Sequence, residues 1–455
     1  MDARVMNGTT PVAGARRLPA PVAEPLPRSM LGVWPVVIML YALILPRQIR
    51  IDLSGLVFFP DRIVALALLP VVFYAIARGS LRFRIPDFLV LGTGAWMIAS
   101  MMANYGAASG LERGGALALD LVTGYFVARI FIRTTADLQR TLILFAPGLI
   151  LAGVSMMAES ITRTPIVRPI FEGIFGALPI YVSGEVVGYG EAQVAQYRLG
   201  LLRAAGPFPH PILGGVFLAS TLPLFFWTAI RGWPRLAGTA AAILGFFSLS
   251  SAAILALIVG AALMIYDFLQ RVVEQLSWKL VIFIVGAVML AMQVVAQGGV
   301  LFVIIRYLTL NPATGYYRTL TWEYGLNTAS ANPLFGIGFA GYQRPVWMLS
   351  ESIDAHWLLM AIRFGYPVAF LLLALGLYAI VSPALASMRT SGLQSRTLRS
   401  LSFAIFVIFL MAFTVALSGG INGWFMILTG AAITVAAQIP PLPNPARIPS
   451  QAVAA

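Results

Sequence analysis

Three segments of the sequence combine charged side chains with proline, glycine and aromatic residues, as a binding or catalytic site requires. They are RAAGPFPHPILGG (203–215), YYRTLTW followed by NPLFGIGFAGY (316–322 and 332–342), and DAHWLLMAIRFG (354–365). The guanidinium group of an arginine can bind a phosphate or a carboxylate through two hydrogen bonds. An Asp or a His can accept a proton from a reacting hydroxyl group. Together the segments contain the groups for anion binding and for general base catalysis.

The first segment surrounds Arg203 and His210 with irregular backbone. Its prolines at 207, 209 and 211 prevent a regular helix before about Ile212. Irregular backbone at a membrane surface is tolerated where protein or a wet cavity covers it. Both residues are therefore candidates for ligand binding. The alternative is structural, with His210 capping a helix and Arg203 reaching lipid headgroups.

The other two segments each place a charged residue beside a predicted helix. Arg318 and Trp322 are one helical turn apart, so they share a face. The glycines at 336–341 permit tight turns near a ligand, but their spacing is not that of a phosphate-binding loop. Asp354 and His356 directly precede an apolar helix, where they form a candidate acid–base pair. Capping of that helix by Asp354 is the structural alternative.

The composition identifies the kind of protein that must position these residues. Of 455 residues, 59% are apolar and 10% are charged, with a mean hydropathy of +0.87. Ordinary soluble domains have about 25% charged residues. The composition therefore excludes a cytosolic enzyme, a disordered protein and, despite a net charge of +13, a nucleic-acid-binding domain. It predicts an all-α polytopic membrane protein.

Few residues are available for metal or thiol chemistry. Cysteine is absent, which excludes disulfides and thiol nucleophiles, and His210 and His356 are the two histidines. A site with several His ligands is therefore improbable, and no acidic cluster resembles a cation site. We predict no metal and no cofactor.

Apolar segments long enough to span a bilayer recur along the chain. Twelve spans are predicted at about 31–46, 61–78, 86–104, 112–131, 141–158, 208–230, 236–249, 251–267, 279–297, 357–382, 400–418 and 421–438. Residues 236–267 could instead form one tilted helix. Two crossings are preferred because they place every basic connector on one side of the membrane. These connectors contain Arg78, Arg82, Arg84, Arg129, Arg133, Arg140, Arg231, Arg235, Arg271, Lys279, Arg389, Arg396 and Arg399.

This topology makes residues 31–438 one transmembrane domain between a disordered cytoplasmic tail (1–30) and a C-terminal cytoplasmic tail (439–455). Two large loops, at about 159–207 and 298–356, lie on the opposite side. Twelve arginines fall on that side, where topology does not require them. They are Arg47, Arg50, Arg62, Arg113, Arg163, Arg168, Arg198, Arg203, Arg306, Arg318, Arg344 and Arg363. We expect some of these arginines to take part in substrate binding or catalysis.

In their order and spacing around the second large loop, the three segments resemble the O-antigen ligase and polymerase superfamily of bacterial membrane glycosyltransferases. The resemblance covers roughly residues 200–380. It implies a GT-C-like enzyme of the inner membrane with its active site in the periplasm. The implied donor is an oligosaccharide on undecaprenyl pyrophosphate, and the implied acceptor is a lipid-linked saccharide. Polysaccharide-export or chain-length proteins would be further partners.

The resemblance also implies residue roles. Arg203 and Arg318 would bind the pyrophosphate, with Arg198 and Arg344 as further candidates. His356 would activate the acceptor hydroxyl. Fixed guanidinium groups can stabilise a leaving pyrophosphate without a metal, and direct attack inverts the anomeric configuration. His210, Tyr317, Trp322 and Trp357 are candidate substrate contacts; a place in an interfacial aromatic belt is the alternative for the aromatic residues.

The sequence departs from the ligase pattern, and this leaves alternatives open. Gly365 follows His356 by nine residues instead of about eleven, so alignment from the glycine puts Asp354 at the ligase histidine. Either residue could be the base. The Asp-x-His-Trp form is more similar to exopolysaccharide polymerases, so polymerisation is preferred to ligation onto lipid A core. A secondary transporter is the alternative of another class, because Asp120 lies within a predicted span.

Overall fold

The computed structural model describes residues 32–53, 56–182, 185–190, 196–273, 275–295, 312–348 and 350–440. It is 72% helical with almost no sheet, which confirms the all-α class of a polytopic membrane protein. The predicted N-terminal tail and residues 441–455 of the C-terminal tail lie outside the described residues. So do residues 298–311 of the second large loop.

The helices follow one another with short connections over most of the chain. They are α1 (Trp34–Ile44), α2 (Pro60–Ala77), α3 (Ile85–Tyr105), α4 (Ala107–Phe131), α5 (Thr135–Thr162), α6 (Val167–Phe175), α7 (Pro211–Ser220), α8 (Leu222–Phe226), α9 (Trp233–Leu244), α10 (Ser251–Leu269), α11 (Trp278–Val295), α12 (Pro312–Ala331), α13 (His356–Phe364), α14 (Tyr366–Ser387), α15 (Gly392–Met411) and α16 (Gly420–Ala437).

Eight of the described helices are long and apolar enough to cross a bilayer: α2, α3, α4, α5, α10, α14, α15 and α16. The predicted count of twelve is not confirmed. The other four predicted spans contain α1, α7 with α8, α9, and α11, which are not among these eight. In the α7–α8 span, the continuous helix is interrupted at Thr221, and Pro223 stands in the first turn of α8.

Residues 236–267 form two helices, as the sequence predicted. After α9, a 3-10 turn covers Gly245–Ser248, and Leu249 adopts a positive φ of 47° before α10 begins. This turn packs directly on α7, since a Cβ on Gly215 would lie 2.2 Å from Ser248 Oγ. The turn is therefore seated on the helix that follows the proline-rich segment.

Helix α16 is buried along nearly its whole length and packs against α4 and α14. A buried ion pair joins this core to α3. Asp87 accepts hydrogen bonds from Arg129 Nε and Nη2, at 2.8 and 2.7 Å, while Arg129 Nη1 donates to Thr434 on α16 at 2.9 Å. Arg129 was assigned from sequence to a cytoplasmic connector, but its side chain is only 4% exposed and ties three helices together.

In the described ranges, three antiparallel hairpins lie in the connections between helices: β1 (Ile51–Leu53) with β2 (Leu56–Phe58), β3 (Pro179–Val182) with β4 (Glu185–Tyr189), and β5 (Tyr197–Arg198) with β6 (Leu201–Leu202). The last two belong to the first large loop predicted at 159–207. The hairpin β5–β6 leads directly into the proline-rich segment, and this places it beside the candidate site.

Candidate functional site

The hairpin β5–β6 aligns Arg198 and Arg203. Arg198 lies opposite Leu201 in the hairpin. Arg203 lies opposite Gln196, since the Arg203 amide donates to the Gln196 carbonyl at 2.9 Å. Because alternate residues of a strand share a face, Arg198 and Arg203 lie on the same face of the hairpin. Arg198 Nη1 also donates to the Leu249 carbonyl oxygen at 3.1 Å. The turn between α9 and α10 thus holds the hairpin in place.

A buried glutamate fixes the loop that follows Arg203. Glu159, near the end of α5, is only 2% exposed. Its Oε2 accepts a hydrogen bond from the Gly206 amide at 2.8 Å, and its Oε1 accepts from the amides of Ile166 and Val167 at 3.0 Å each. A carboxylate with three backbone donors is well satisfied in a buried position. It connects the proline-rich segment to the start of α6.

His210 caps α7. The Ile212 amide donates to His210 Nδ1 at 3.1 Å, and Pro211 occupies the first helical position. Burial, with a smaller contribution from the positive charge of Arg203, lowers the pKa of His210 to about 4. His210 is therefore neutral at physiological pH, and its Nδ1 accepts the capping hydrogen bond. This is the structural role that the sequence left open as an alternative.

Arg318, on α12, completes a cluster of three arginines with Arg198 and Arg203. Burial, with smaller contributions from the positive charges of Arg198 and Arg318, lowers the pKa of Arg203 to about 10. Burial also lowers the pKa of Arg318, while nearby Asp354 opposes that shift. The Nε atoms of Arg203 and Arg318 are both buried without a hydrogen-bond partner in the part of the chain that the structure describes. Such donors are costly unless an acceptor satisfies them, and a negatively charged oxygen makes the strongest hydrogen bond with a guanidinium group.

Asp354 and His356 face different cavities. Asp354 lines a large cavity of about 1210 Å³, bounded by α2, α4, α13 and the segments 338–342 and 351–354. Burial raises the pKa of Asp354, and Arg318 partly offsets this effect. Among the described residues, its carboxylate has no hydrogen-bond donor or ion-pair partner. Asp354 is therefore the carboxylate that stands beside the arginine cluster.

His356 is only 4% exposed and lines a deep chamber of about 210 Å³. Its backbone amide donates to the carbonyls of Ala412 and Val415, at 2.8 and 3.2 Å, which fixes the start of α13. Its Nδ1 is buried without a partner among the described residues. Burial, with a smaller contribution from Arg363, lowers the pKa of His356 to about 3. Its imidazole is consequently neutral.

Arg47 is a residue that the sequence did not single out among the outer arginines. It lines the large cavity, the deep chamber and a side cavity of about 120 Å³ that also contains Arg203 and His210. Its guanidinium carbon lies 4.6 Å from the centre of the Phe59 ring. Arg47 therefore stands where the three cavities meet.

The remaining predicted residues support the protein around the site. Arg344 Nη2 is paired with Glu351 at 2.7 Å, and the Tyr317 hydroxyl accepts from the Ser350 amide at 3.0 Å. Trp322 and Trp357 are buried, at 8% and 3% exposure. Their indole nitrogens donate to the carbonyls of Phe413 and Phe409, at 3.2 and 3.3 Å. These residues are thus engaged in packing or in loop contacts.

Asp120 is also engaged. It accepts two hydrogen bonds from Arg62, at 3.1 and 2.6 Å, rather than standing alone in its span. Within the described ranges, no three His, Asp or Glu side chains gather as the ligands of a metal would.

Compared with known proteins, the chain matches no family model and no curated sequence. Functional assignment therefore depends on the geometry of the arginine cluster and its neighbours.

Proposed function

We propose that the protein is a metal-independent membrane glycosyltransferase that polymerises undecaprenyl-pyrophosphate-linked oligosaccharides at the periplasmic face of the bacterial inner membrane. The observation that carries this proposal is the cluster of Arg198, Arg203 and Arg318 beside Asp354. Two guanidinium Nε atoms in it lack partners among the described residues. A pyrophosphate supplies several acceptor oxygens and negative charge to such donors.

The same cluster suits the leaving group of a glycosyl transfer. The bond between the anomeric carbon and the pyrophosphate oxygen breaks, and its electron pair stays on the pyrophosphate. Fixed guanidinium groups stabilise the charge that develops there. Arg203 and Arg318 are held by separate elements, the β5–β6 hairpin and α12, so they can contact the pyrophosphate from two sides.

In this proposal, Asp354 acts as the general base. A hydroxyl group of the acceptor saccharide attacks the anomeric carbon, and its proton passes to the Asp354 carboxylate. Direct displacement forms one glycosidic bond and inverts the anomeric configuration. The raised pKa of Asp354 brings its basicity closer to neutral pH. The large cavity that Asp354 lines would hold the acceptor.

Ligation of the glycan onto lipid A core is a second candidate function. The observation that favours it is the unpartnered Nδ1 of His356, because the ligase resemblance implies a histidine base. Its deep chamber shares Arg47 and Arg363 with the large cavity. The choice between the two functions depends on which acceptor the purified protein accepts.

Incubation of the purified full-length chain in lipid nanodiscs with a lipid-linked repeat unit tests the proposal. We expect chain growth and release of undecaprenyl pyrophosphate without lipid A core. Transfer of the repeat unit to added lipid A core, without chain growth in its absence, would identify a ligase. Movement of unreacted lipid across a membrane would identify a transporter.

The arginine cluster is tested with one substitution and a matched control. Arg318→Gln should slow pyrophosphate release by about 10²–10³-fold, as loss of one charge-stabilising donor does in other enzymes. Arg78→Gln is the control, because Arg78 is an exposed arginine at the end of α2 that lines none of the three cavities. Full activity in Arg318→Gln would contradict the leaving-group assignment.

A further inference from the structure

Two arginines and two aromatic rings form a continuous series of contacts beside the large cavity. The guanidinium carbon of Arg113 lies 4.6 Å from the centre of the Tyr105 ring. The rings of Tyr105 and Phe339 are 6.3 Å apart, and the guanidinium carbon of Arg363 lies 5.0 Å from the centre of the Phe339 ring. Arg113, Phe339 and Arg363 all line the cavity. We call these four residues the arginine–aromatic wall.

The backbone holds the wall firmly. Gly338 donates from its amide to the Arg363 carbonyl at 3.0 Å, and the Phe339 amide donates to the Tyr105 hydroxyl at 2.5 Å. Gly338 has a positive φ of 65°, and a Cβ there would lie 2.5 Å from the Tyr105 ring. The glycine-rich segment therefore serves to bring Phe339 between Tyr105 and Arg363. This arrangement orients both guanidinium groups before a ligand arrives.

The charges of the wall are not neutralised locally. Over the described ranges, no carboxylate forms an ion pair with Arg113 or Arg363. Glu351, which also lines the cavity, is paired with Arg344 at 2.7 Å. Two further carboxylates of the cavity remain, Glu112 beside Arg113 in sequence and Asp354 beside Arg318. The wall thus retains two cations in fixed positions.

We infer that the arginine–aromatic wall binds a carboxylate-bearing saccharide, such as a repeat unit that contains a uronic acid. This inference deepens the proposed function and rests on it. A guanidinium that is stacked on a ring keeps its in-plane N–H donors, which match the two oxygens of a carboxylate. Small-molecule pockets of about 300–1,000 Å³ hold drug-sized ligands, so a cavity of about 1210 Å³ has room for an oligosaccharide.

The wall is separate from the proposed pyrophosphate site. The three cluster residues Arg198, Arg203 and Arg318 do not line the large cavity, whereas Arg113 and Arg363 do. Asp354 lines the cavity and interacts electrostatically with Arg318, so it lies between the two sites. An acceptor saccharide that is anchored on the wall would therefore extend toward the base and the leaving group.

Calorimetric binding to the purified full-length chain in nanodiscs tests the inference. The probes are a galacturonic acid trisaccharide and the same trisaccharide with its carboxyl groups reduced to alcohols. We expect the acidic probe to bind about tenfold or more tightly than the neutral probe, as charge-assisted hydrogen bonds predict. Arg113→Gln and Arg363→Gln should each lower the affinity for the acidic probe about tenfold and leave the affinity for the neutral probe unchanged.

The matched control is Arg78→Gln, since Arg78 stacks on Tyr74 at 4.7 Å outside the cavity. It should bind the acidic probe as the wild type does. Melting temperatures of all variants show whether they fold. If either glutamine variant does not fold, the Arg→Lys variant at that position replaces it. Lysine keeps the charge but cannot form the two parallel hydrogen bonds of a guanidinium group with a carboxylate. Its affinity for the acidic probe should therefore be at least threefold lower than that of the wild type.

Equal affinity for the two trisaccharides would overturn the inference, and so would wild-type affinity in both glutamine variants. Inorganic pyrophosphate serves as a further probe. Arg318→Gln should bind pyrophosphate more weakly than the wild type, whereas Arg113→Gln and Arg363→Gln should bind it as tightly as the wild type. Equal losses in all three variants would assign the wall to the leaving group instead. Because these measurements need no turnover, their outcome is distinguishable from a failure of the transferase assay.

Discussion

At the scale of single residues, Asp354 and His356 lie two positions apart but face different cavities. Asp354 is the residue near Arg318, so Asp354→Asn should lower kcat by about 10²–10⁴-fold through loss of the general base. His356→Gln should keep most of the activity, because its chamber lies away from the arginine cluster. Initial rates of polymer formation measure both effects. An active Asp354→Asn with an inactive His356→Gln would make His356 the base.

The pH profile provides the internal control for this assignment. A general base must be deprotonated, so the rate should fall as the pH drops through the pKa of Asp354. Burial raises that pKa, and the loss should therefore occur at a higher pH than the value of about 4 for an ordinary aspartate. Residual activity in Asp354→Asn should lack this inflection.

The sequence shows residue types and their spacing but not the directions of the side chains. Arg203, Arg318 and Asp354 were found from their spacing beside proline, glycine and aromatic residues. Trp322 and Trp357 were candidate substrate contacts, and in the structure each packs against a phenylalanine ring, Phe413 and Phe409 respectively. Which side of a helix packs against the core depends on neighbouring elements that are distant in sequence, so residue spacing alone does not show it.

At the scale of elements, Glu159 connects α5 with α6 and with the loop after Arg203. Glu159→Gln replaces one acceptor oxygen by an NH₂ group, which cannot accept the hydrogen bonds of the backbone amides. We expect a destabilisation of about 1–3 kcal/mol and a lower kcat, because Arg203 loses its fixed position. Thermal unfolding and turnover measure the two effects. Thr164→Ala, on the exposed connection to α6, is the control.

An unchanged melting temperature together with unchanged turnover in Glu159→Gln would show that the glutamate does not position the loop. The proposed role predicts that pyrophosphate affinity falls with kcat, because Arg203 contacts the leaving group. A fall in stability without any change in pyrophosphate affinity would restrict Glu159 to a structural role.

Gly419, which precedes α16, allows a close approach of Arg47. It has a positive φ of 60°, and a Cβ there would lie 2.2 Å from Arg47 Nη2. Gly419→Ala should therefore displace Arg47 from the junction of the three cavities and lower kcat at least tenfold. Gly392→Ala is a matched control, since Gly392 has a φ of 63° and nothing within 4 Å of the added Cβ.

Both alanine variants carry the cost of a left-handed backbone, about 1–2 kcal/mol, so they should lose similar stability. The difference in kcat then reports the displacement of Arg47. Equal kcat values in the two variants would show that Arg47 does not contribute to the site. The double variant Gly419→Ala with Arg47→Ala should lose little more activity than Arg47→Ala, because contacting residues are not additive.

The elements were predicted well where the backbone dictates them. Three prolines predicted irregular structure up to about Ile212, and α7 begins at Pro211. The break near residues 247–251 was also expected. The hairpin β5–β6 was not predicted, since each of its strands has only two residues. Its register depends on contacts distant in sequence, such as the Leu249 carbonyl that binds Arg198. This explains why the alignment of Arg198 with Arg203 could not be derived.

At the scale of the whole molecule, the distribution of arginines predicts which ends of the helices lie in the cytoplasm. The chain contains no cysteine, so single cysteine substitutions can be labelled without background. Ser391→Cys, in the basic connector before α15, should react with a membrane-impermeant maleimide only from the cytoplasmic side. Thr164→Cys, in the loop that leads to the arginine cluster, should react only from the periplasmic side. Both residues are exposed in the folded protein.

The comparison of these two sites also tests the proposed location of catalysis. Thr164 lies five residues after Glu159, whose carboxylate binds the Gly206 amide and so ties this loop to Arg203. Labelling of Thr164→Cys from the periplasm therefore places the arginine cluster there as well. Labelling of both cysteines from one side would contradict the arginine-based topology. Labelling of each from the opposite side to that expected would put the cluster in the cytoplasm, where a periplasmic polymerase could not use it.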